Sequence, residues 1–158
     1  MSSPDLGETR QKLVDNRKTL KTFLGTLSPE QWDTLVYSEG EQWSVADLLR
    51  HLNQGEYGMI RLMEDIRQGG EGASADFDLN RWNSSGVRKS RDKTPAELLE
   101  ALDSNREYLW QFMESLSAED LAKEGRHGSG RILTIAAIIE VIAGHDMRHL
   151  ADIRQALV

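Results

Sequence analysis

The sequence has no cysteine among its 158 residues, so it forms no disulfide, no thiolate metal site and no cysteine nucleophile. Any thiol chemistry therefore needs a thiol from another molecule. Positive charge is also scarce, because 19 lysines and arginines against 26 aspartates and glutamates give a formal net charge of −7. This negative field disfavours nucleic acids and anionic membrane surfaces as partners.

Long apolar runs are missing as well. No stretch approaches the roughly 20 residues that span a bilayer. The N-terminal Met-Ser-Ser-Pro-Asp lacks a basic segment followed by an apolar one. We therefore expect a soluble, cytoplasmic protein without a membrane partner. The length of 158 residues suits one domain with a sizeable core, and we expect a single domain over residues 1–158.

Alternating β-branched segments are nearly absent, whereas helix caps and apolar positions spaced three and four apart recur along the chain. These patterns predict an all-α fold with four long helices. Their predicted starts are Pro4-Asp5 with Ser3 as cap, the residue after Ser44, Thr94-Pro95, and about Leu133. The polar crossover over residues 71–92 is too long for a simple helical hairpin. We therefore predict a four-helix bundle with a long crossover between the second and third long helices.

The connections between the long helices carry weaker signals. Ser28-Pro29-Glu30-Gln31 predicts a helix of one or two turns, which the polar run 38–42 soon interrupts. Residues 79–85 predict a short helix within the crossover. Residues 125–131 form a glycine-rich loop.

Three of the four histidines fall on predicted long helices: His51 on the second, and His145 and His149 on the last. The i, i+4 spacing places the imidazoles of His145 and His149 about 6 Å apart on the face directed toward the bundle. Each histidine is either a core residue with a hydrogen-bond partner or a metal ligand. If His51 lies against the pair, three neutral imidazoles without a thiolate suit Zn²⁺, Ni²⁺, Fe²⁺ or Mn²⁺ and leave positions open for water or substrate.

Carboxylates near these histidines are candidates for supporting roles. Asp47, four residues before His51, and Asp152, three after His149, are spaced to orient the imidazole rings. Three further carboxylates are candidates for a base or an extra ligand, or are solvated surface groups: Glu56, Glu140 and Asp146.

Other residues are candidates for a pocket beside the histidines. Gly55 and Gly58 each weaken the second helix by about 1 kcal/mol, and they are either simply tolerated or allow a helix or ligand to approach closely. His127, in a loop with two arginines, either flanks an anionic substrate or is an ordinary loop residue. Trp82, near the crossover, is a candidate for the pocket mouth, although most tryptophans belong to cores.

Two segments resemble the DinB-like superfamily of metal-binding four-helix bundles. Residues 43–56 begin with Trp-Ser and contain His51-Leu52, similar to that family's Trp-Ser/Thr start and helix-two His-Leu. Residues 145–154, His-Asp-Met-Arg-His-Leu-Ala-Asp-Ile-Arg, are similar to its final-helix motif. Helix order, crossover and length also match, so the resemblance covers essentially the whole chain. It implies a metal triad of His51, His145 and His149, and a homodimer.

The resemblance also implies a class of chemistry. Members of the family include thiol S-transferases that use bacillithiol, and mycothiol-dependent isomerases in which the metal binds and activates the cosubstrate thiol. The isomerases have a glutamate where this chain has His145, so the resemblance favours the all-histidine branch.

Two functional hypotheses follow. In the first, a divalent metal ion on the three histidines, zinc or nickel ahead of iron or manganese, lowers the pKa of a thiol or water. The protein is then a thiol S-transferase or a hydrolase acting on a small molecule, with a low-molecular-weight thiol as cosubstrate in the first case. In the second, the bundle is not catalytic, and either its metal only joins two helices or its exposed faces mediate dimerisation.

Overall fold

Four long helices dominate the computed structural model, which describes residues 6–158. The helices of the chain are α1 (Gly7–Leu24), α2 (Val45–Arg67), α3 (Leu79–Lys89), α4 (Pro95–Glu114), α5 (Ala118–Leu121) and α6 (Ile135–Ala156). The long helix α1 packs along α6, and α2 packs against both α4 and α6. The predicted four-helix bundle is confirmed, and the crossover between α2 and α4 contains α3.

Side-chain caps begin α2 and α4 where the sequence predicts them. Ser44 Oγ accepts the backbone N–H of Asp47 at 3.0 Å. The Asp47 carboxylate does not complete a capping box with Ser44, because it accepts a hydrogen bond from Arg50 at 2.7 Å. Thr94 and Glu97 do form a reciprocal capping box at the start of α4.

The other two long helices differ slightly from their predicted starts. The last helix begins at Ile135, because Thr134 is its cap and accepts the N–H of Ala137 at 3.0 Å. The predicted start of the first helix near Pro4-Asp5, with Ser3 as cap, lies outside the described residues. The predicted one- or two-turn helix after Ser28 is a single 3₁₀ turn, Gln31–Asp33.

Two short hairpins lie where the sequence predicts irregular chain. The antiparallel pairs are β1 (Leu35–Ser38) with β2 (Glu41–Ser44), and β3 (Glu124–Arg126) with β4 (Ile132–Thr134). Their strands of three or four residues are too short to show a clear alternation in sequence. Each hairpin ends at the cap residue of the long helix that follows, so it fixes the start of that helix.

A charged layer divides the core into two apolar clusters. The first cluster includes leucines from every long helix, among them Leu20, Leu52, Leu102 and Leu150. The second cluster contains Leu13, Ile60, Leu109 and Ile142 from the same four helices. Between them lie four buried charged side chains, one from each long helix: Arg17, Glu56, Arg106 and Asp146.

Among residues 6–158, no helix is long and apolar enough to cross a membrane.

Candidate metal centre

Three histidines and one glutamate converge where α2, α6 and the first hairpin meet. His51, His145, His149 and Glu39 each offer one ligand atom, and these atoms all lie within 4.8 Å of one another. The Nε2 atoms of His145 and His149 are 3.1 Å apart. Glu39 oxygens lie 3.1 Å from His51 Nε2 and 3.4 Å from His149 Nε2. The structure thus brings together the three histidines singled out in the sequence and adds a carboxylate.

Local packing holds each imidazole in place. The Trp43 ring stacks on His51, with ring centroids 5.0 Å apart and 29° between the planes. Gly55 leaves room for His145, because a Cβ at Gly55 would lie 3.4 Å from His145 Cε1. His149 is completely buried at 0% exposure. These contacts restrict the rotation of all three rings before any ligand arrives.

A chain of hydrogen bonds determines which nitrogen of His149 faces the cluster. Ser38 Oγ donates its single hydrogen to Asp152 Oδ2 at 2.7 Å. The same oxygen therefore accepts the hydrogen of His149 Nδ1 at 3.0 Å. The lone pair of neutral His149 is then on Nε2 and faces His145 and Glu39, as a metal ligand requires. Asp152 orients His149 as the sequence predicts, but through Ser38, since its own oxygen is 3.9 Å from Nδ1.

The electrostatics of the cluster favour the protonation states of metal ligands. Burial lowers the pKa of His149 to about 4, despite the opposing effect of its contact with Glu39. Contacts with the imidazoles of His145, His149 and His51 hold the pKa of Glu39 far below its usual range. At neutral pH an unprotonated imidazole therefore lies beside an ionised carboxylate, and both can donate electron pairs to a cation.

The donor set fits a divalent cation. Both ring nitrogens of His51 are buried without a hydrogen-bond partner among the described residues, and Glu39, although close to Nε2, is not aligned for a hydrogen bond. Such an unsatisfied buried group costs about 1–3 kcal/mol. Bonds of about 2.0–2.1 Å to a tetrahedral zinc ion separate ligand nitrogens by about 3.3 Å. The 3.1 Å between the Nε2 atoms of His145 and His149 is close to that separation.

The other candidate carboxylates have different partners. Glu56 and Asp146 accept hydrogen bonds from Arg17 at 2.8 and 2.7 Å within the charged layer. Glu140 accepts a hydrogen bond from Thr9 Oγ1. The prediction that Asp47 orients His51 is wrong, because Asp47 pairs with Arg50 instead. A carboxylate that lies close to a histidine in sequence therefore need not contact that histidine in this bundle.

Glu39 is the site residue that the sequence analysis missed. It occupies the first position of the two-residue turn between β1 and β2, with φ of 54°, and Gly40 follows with φ of 80°. Positive φ at both positions matches the right-handed twist of a hairpin, although it costs a residue other than glycine roughly 1–2 kcal/mol. The available signal was the glycine that follows it, Gly40, because glycine is favoured at the second position of such a turn.

A cavity of about 620 Å³ opens beside the cluster and shares Glu39, His51 and His145 with it. This volume lies within the range of about 300–1,000 Å³ usual for small-molecule sites. Trp82 lines the cavity, as the sequence analysis suggested. Gly58 allows this, because a Cβ there would lie 2.6 Å from Trp82 Cη2. The position of the Trp82 ring against α2 therefore depends on the missing side chain of Gly58.

Comparison with known proteins extends these observations. A family model described as the DinB superfamily matches residues 4–153. No curated protein sequence matches the chain.

Several solved structures share the fold. The mycothiol-dependent maleylpyruvate isomerase superposes with a TM-score of 0.80 at 14% identity, over 97% of this chain and 63% of that chain. YfiT from Bacillus subtilis, described as a probable metal-dependent hydrolase with an unusual four-helix bundle topology, gives 0.78 at 19% identity, over 99% and 87%. The colibactin self-resistance protein ClbS, solved in complex with double-stranded DNA, gives 0.73 at 18% identity, over 94% and 92%. The chain thus spans less than two thirds of the isomerase, and at these identities the likeness concerns the fold.

Proposed function

Because the chain belongs to the DinB superfamily, we propose that it is a metal-dependent enzyme whose divalent ion is held by His51, His145 and His149. The observation that carries this proposal is the convergence of three imidazoles and the Glu39 carboxylate beside a cavity of about 620 Å³. Structural metal sites are closed by four protein ligands, whereas catalytic sites keep a position open to substrate. Three histidine ligands beside a cavity therefore favour the catalytic type. A divalent ion bound there supplies Lewis acidity, which lowers the pKa of a thiol or water. Zinc or nickel is proposed ahead of iron or manganese.

The residues of the chain supply proton transfer and orientation. Glu39 lines the cavity beside the three histidines, so its carboxylate is placed to accept the proton of a thiol or water that enters. Ser38 and Asp152 keep His149 in one tautomer. Trp43 restrains His51 by stacking. Since the chain has no cysteine, the thiol is a separate cosubstrate.

We propose a small-molecule reaction of the thiol S-transferase or hydrolase type. In the transferase, the thiol proton passes to Glu39, and the sulfur forms a bond to an electrophilic carbon as the leaving group departs with the bonding electrons. In the hydrolase, water takes the place of the thiol. The net charge of −7 and the size of the cavity support a small molecule rather than a nucleic acid. A homodimer is proposed on the family resemblance, and light scattering tests it.

Elemental mass spectrometry of untagged protein tests the metal centre. We expect close to one metal ion per wild-type chain and little metal in His149→Ala. His127→Ala is the matched control, since it removes a histidine that lines the same cavity outside the cluster, and it should retain the metal. The proposal is wrong if wild type takes up no Zn²⁺, Ni²⁺ or Mn²⁺ in a titration, or if His149→Ala retains as much as wild type.

Metal removal separates a catalytic ion from a structural one. The bundle has its own apolar clusters and charged layer, so the metal-free protein should remain helical by circular dichroism with a modest fall in Tm. The loaded protein is then screened with low-molecular-weight thiols and electrophiles. Glu39→Gln should keep its metal and lose turnover if Glu39 accepts the proton. Loss of metal in that variant would instead make Glu39 a ligand and refute its role as base.

A further inference from the structure

The loop between β3 and β4 presents a hydrogen-bond donor to the cavity. His127 lines the cavity. Its Nδ1 accepts the backbone N–H of Ser129 at 3.1 Å and lies 2.9 Å from the Ser129 hydroxyl. Because Nδ1 accepts, the hydrogen of the neutral ring is on Nε2. Within residues 6–158 both hydrogen bonds of this ring use Nδ1, so the Nε2–H is available to a ligand.

The position of His127 is well defined by its surroundings. Its backbone N–H donates to Arg131 O at 2.8 Å, which closes the loop. The preceding Arg126 exchanges backbone hydrogen bonds of 2.8 Å with Glu71 and Ala73 at the start of the crossover. Burial, followed by the nearby His145 and Arg131, lowers the pKa of His127 and keeps the ring neutral at pH 7. The donor is thus oriented before a ligand binds.

The charges that line the cavity have the opposite sign to the whole chain. Arg61 of α2 and Arg148 of α6 both line it, with side chains 64% and 66% exposed. Their ion pairs are long, 3.8 Å from Arg61 to Glu64 and 3.6 Å from Arg148 to Glu39, and therefore leave both guanidinium groups able to contact a ligand. The single carboxylate among the described lining residues is Glu39, which the histidines already contact. Against a net charge of −7, this local excess of positive charge favours an anionic group on the ligand.

The remaining surface of the cavity is largely apolar. Leu62 of α2 and Val141 of α6 line one part, and Phe77, Leu79 and Trp82 of the crossover segment line another. Five such side chains beside a few polar groups are typical of sites that bury the body of a ligand and orient it with selected contacts.

We propose that this cavity selects a substrate with an apolar body and an anionic oxygen-bearing group, to which His127 donates a hydrogen bond while Arg61 and Arg148 supply positive charge. The inference rests on the proposed function, because it names the substrate class of the same site. His127, Arg61 and Arg148 are therefore residues that determine specificity, whereas Glu39 and the histidine triad carry the chemistry.

A matched pair of fluorescent probes tests the proposal. Anilinonaphthalene sulfonate carries an anionic sulfonate on the same aromatic body as uncharged N-phenyl-1-naphthylamine. Fluorescence titration of wild type should show tighter binding of the sulfonate. Arg61→Gln and Arg148→Gln should each weaken it about two- to fivefold, the size of an exposed charge interaction, and leave the uncharged probe unaffected. Lys18→Gln is the control, because it removes the same charge from an exposed position on α1.

The His127 contribution is tested by variants that differ only in the donor. His127→Leu should weaken the sulfonate about tenfold, the lower range for a hydrogen bond to a charged group. His127→Gln, which restores a side-chain N–H, should recover most of the affinity. Nitrogen-15 spectra of the wild-type ring should show the hydrogen on Nε2, and this resonance should shift when the probe binds.

The outcomes separate this proposal from the metal centre. Equal affinity for the two probes, or equal weakening by Lys18→Gln and the cavity arginines, overturns the substrate class. Failure of His127→Gln to improve on His127→Leu overturns the donor role. The titrations use the protein as purified, and metal content is measured on the same preparations. A protein that binds metal but does not prefer the anionic probe overturns only the substrate class. A protein that prefers the anionic probe but binds no metal overturns only the metal centre.

Discussion

Replacing Arg17 by methionine should destabilise the bundle by about 3–5 kcal/mol, the range measured when one partner of a buried ion pair is removed. Arg17 is 7% exposed and donates to Asp146 at 2.7 Å, to Glu56 at 2.8 Å and to the carbonyl of Leu102 at 2.9 Å. With Arg106 the layer has two positive and two negative groups, a formal charge of 2 − 2 = 0. Methionine leaves a buried charge of −1 and an unpaired carbonyl. Since domains of this size are stable by about 5–15 kcal/mol, the loss should be large but measurable.

Urea denaturation followed by circular dichroism measures the free energy of unfolding. Lys21→Met is the matched control: Lys21 lies one turn further along α1, and its 2.7 Å pair with Asp103 has side chains 39% and 61% exposed. Both substitutions remove one positive charge, but the exposed pair should contribute less than about 1 kcal/mol. The reasoning fails if Arg17→Met costs no more than Lys21→Met. In the double variant Arg17→Met with Asp146→Leu, the cost should be below the sum of the single costs, because the remaining layer is again neutral.

Other perturbations test the site and its surroundings. Ser38→Ala removes the hydroxyl that fixes the tautomer of His149 in the proposed metal centre. It should lower metal affinity about 10- to 100-fold in a chelator competition, whereas unchanged affinity would exclude that role. Gly58→Ala should displace Trp82 and shift its indole N–H resonance, while Gly144→Ala, whose Cβ would meet nothing within 4 Å, should leave the resonance in place. Hydrogen bonding to a backbone N–H lowers the pKa of Asp120 to about 2. Its ionised form therefore stabilises the folded state above about pH 4. The stability difference between wild type and Asp120→Asn should shrink as pH falls toward 2, and a difference independent of pH contradicts this.

The pairing of His145 with His149 was predictable because its evidence is local, whereas the place of His51 beside them was implied by the family resemblance. The pair His145 and His149 lies one helical turn apart, so helix geometry alone places both rings on one face. The capping residues Ser44 and Thr94 gave accurate starts for two long helices for the same reason. Periodicity and capping act over a few residues, and they suffice to predict four long helices and the crossover.

The two hairpins and Glu39 were not predictable in the same way. A strand of four residues acquires its burial from the helices on which it packs, as Val36 and Ser38 do. Glu39 lies in a strained turn whose conformation depends on pairing between β1 and β2. Likewise, Ser38 reaches His149 across 111 positions of sequence, a contact that no short-range pattern contains.

The sequence by itself determined the helical class, the order and approximate extent of the long helices, and which histidines share a helical face. These properties follow from hydrophobic spacing and backbone capping within each segment. Only the tertiary structure decided which carboxylate joins the histidines and which belong to the charged layer. Asp47 and Asp146 are the nearer carboxylates in sequence to His51 and His145, yet both pair with arginines. Glu39 comes from a separate hairpin. In a packed bundle, the partner of a buried charge depends on how the elements are arranged in space rather than on sequence distance.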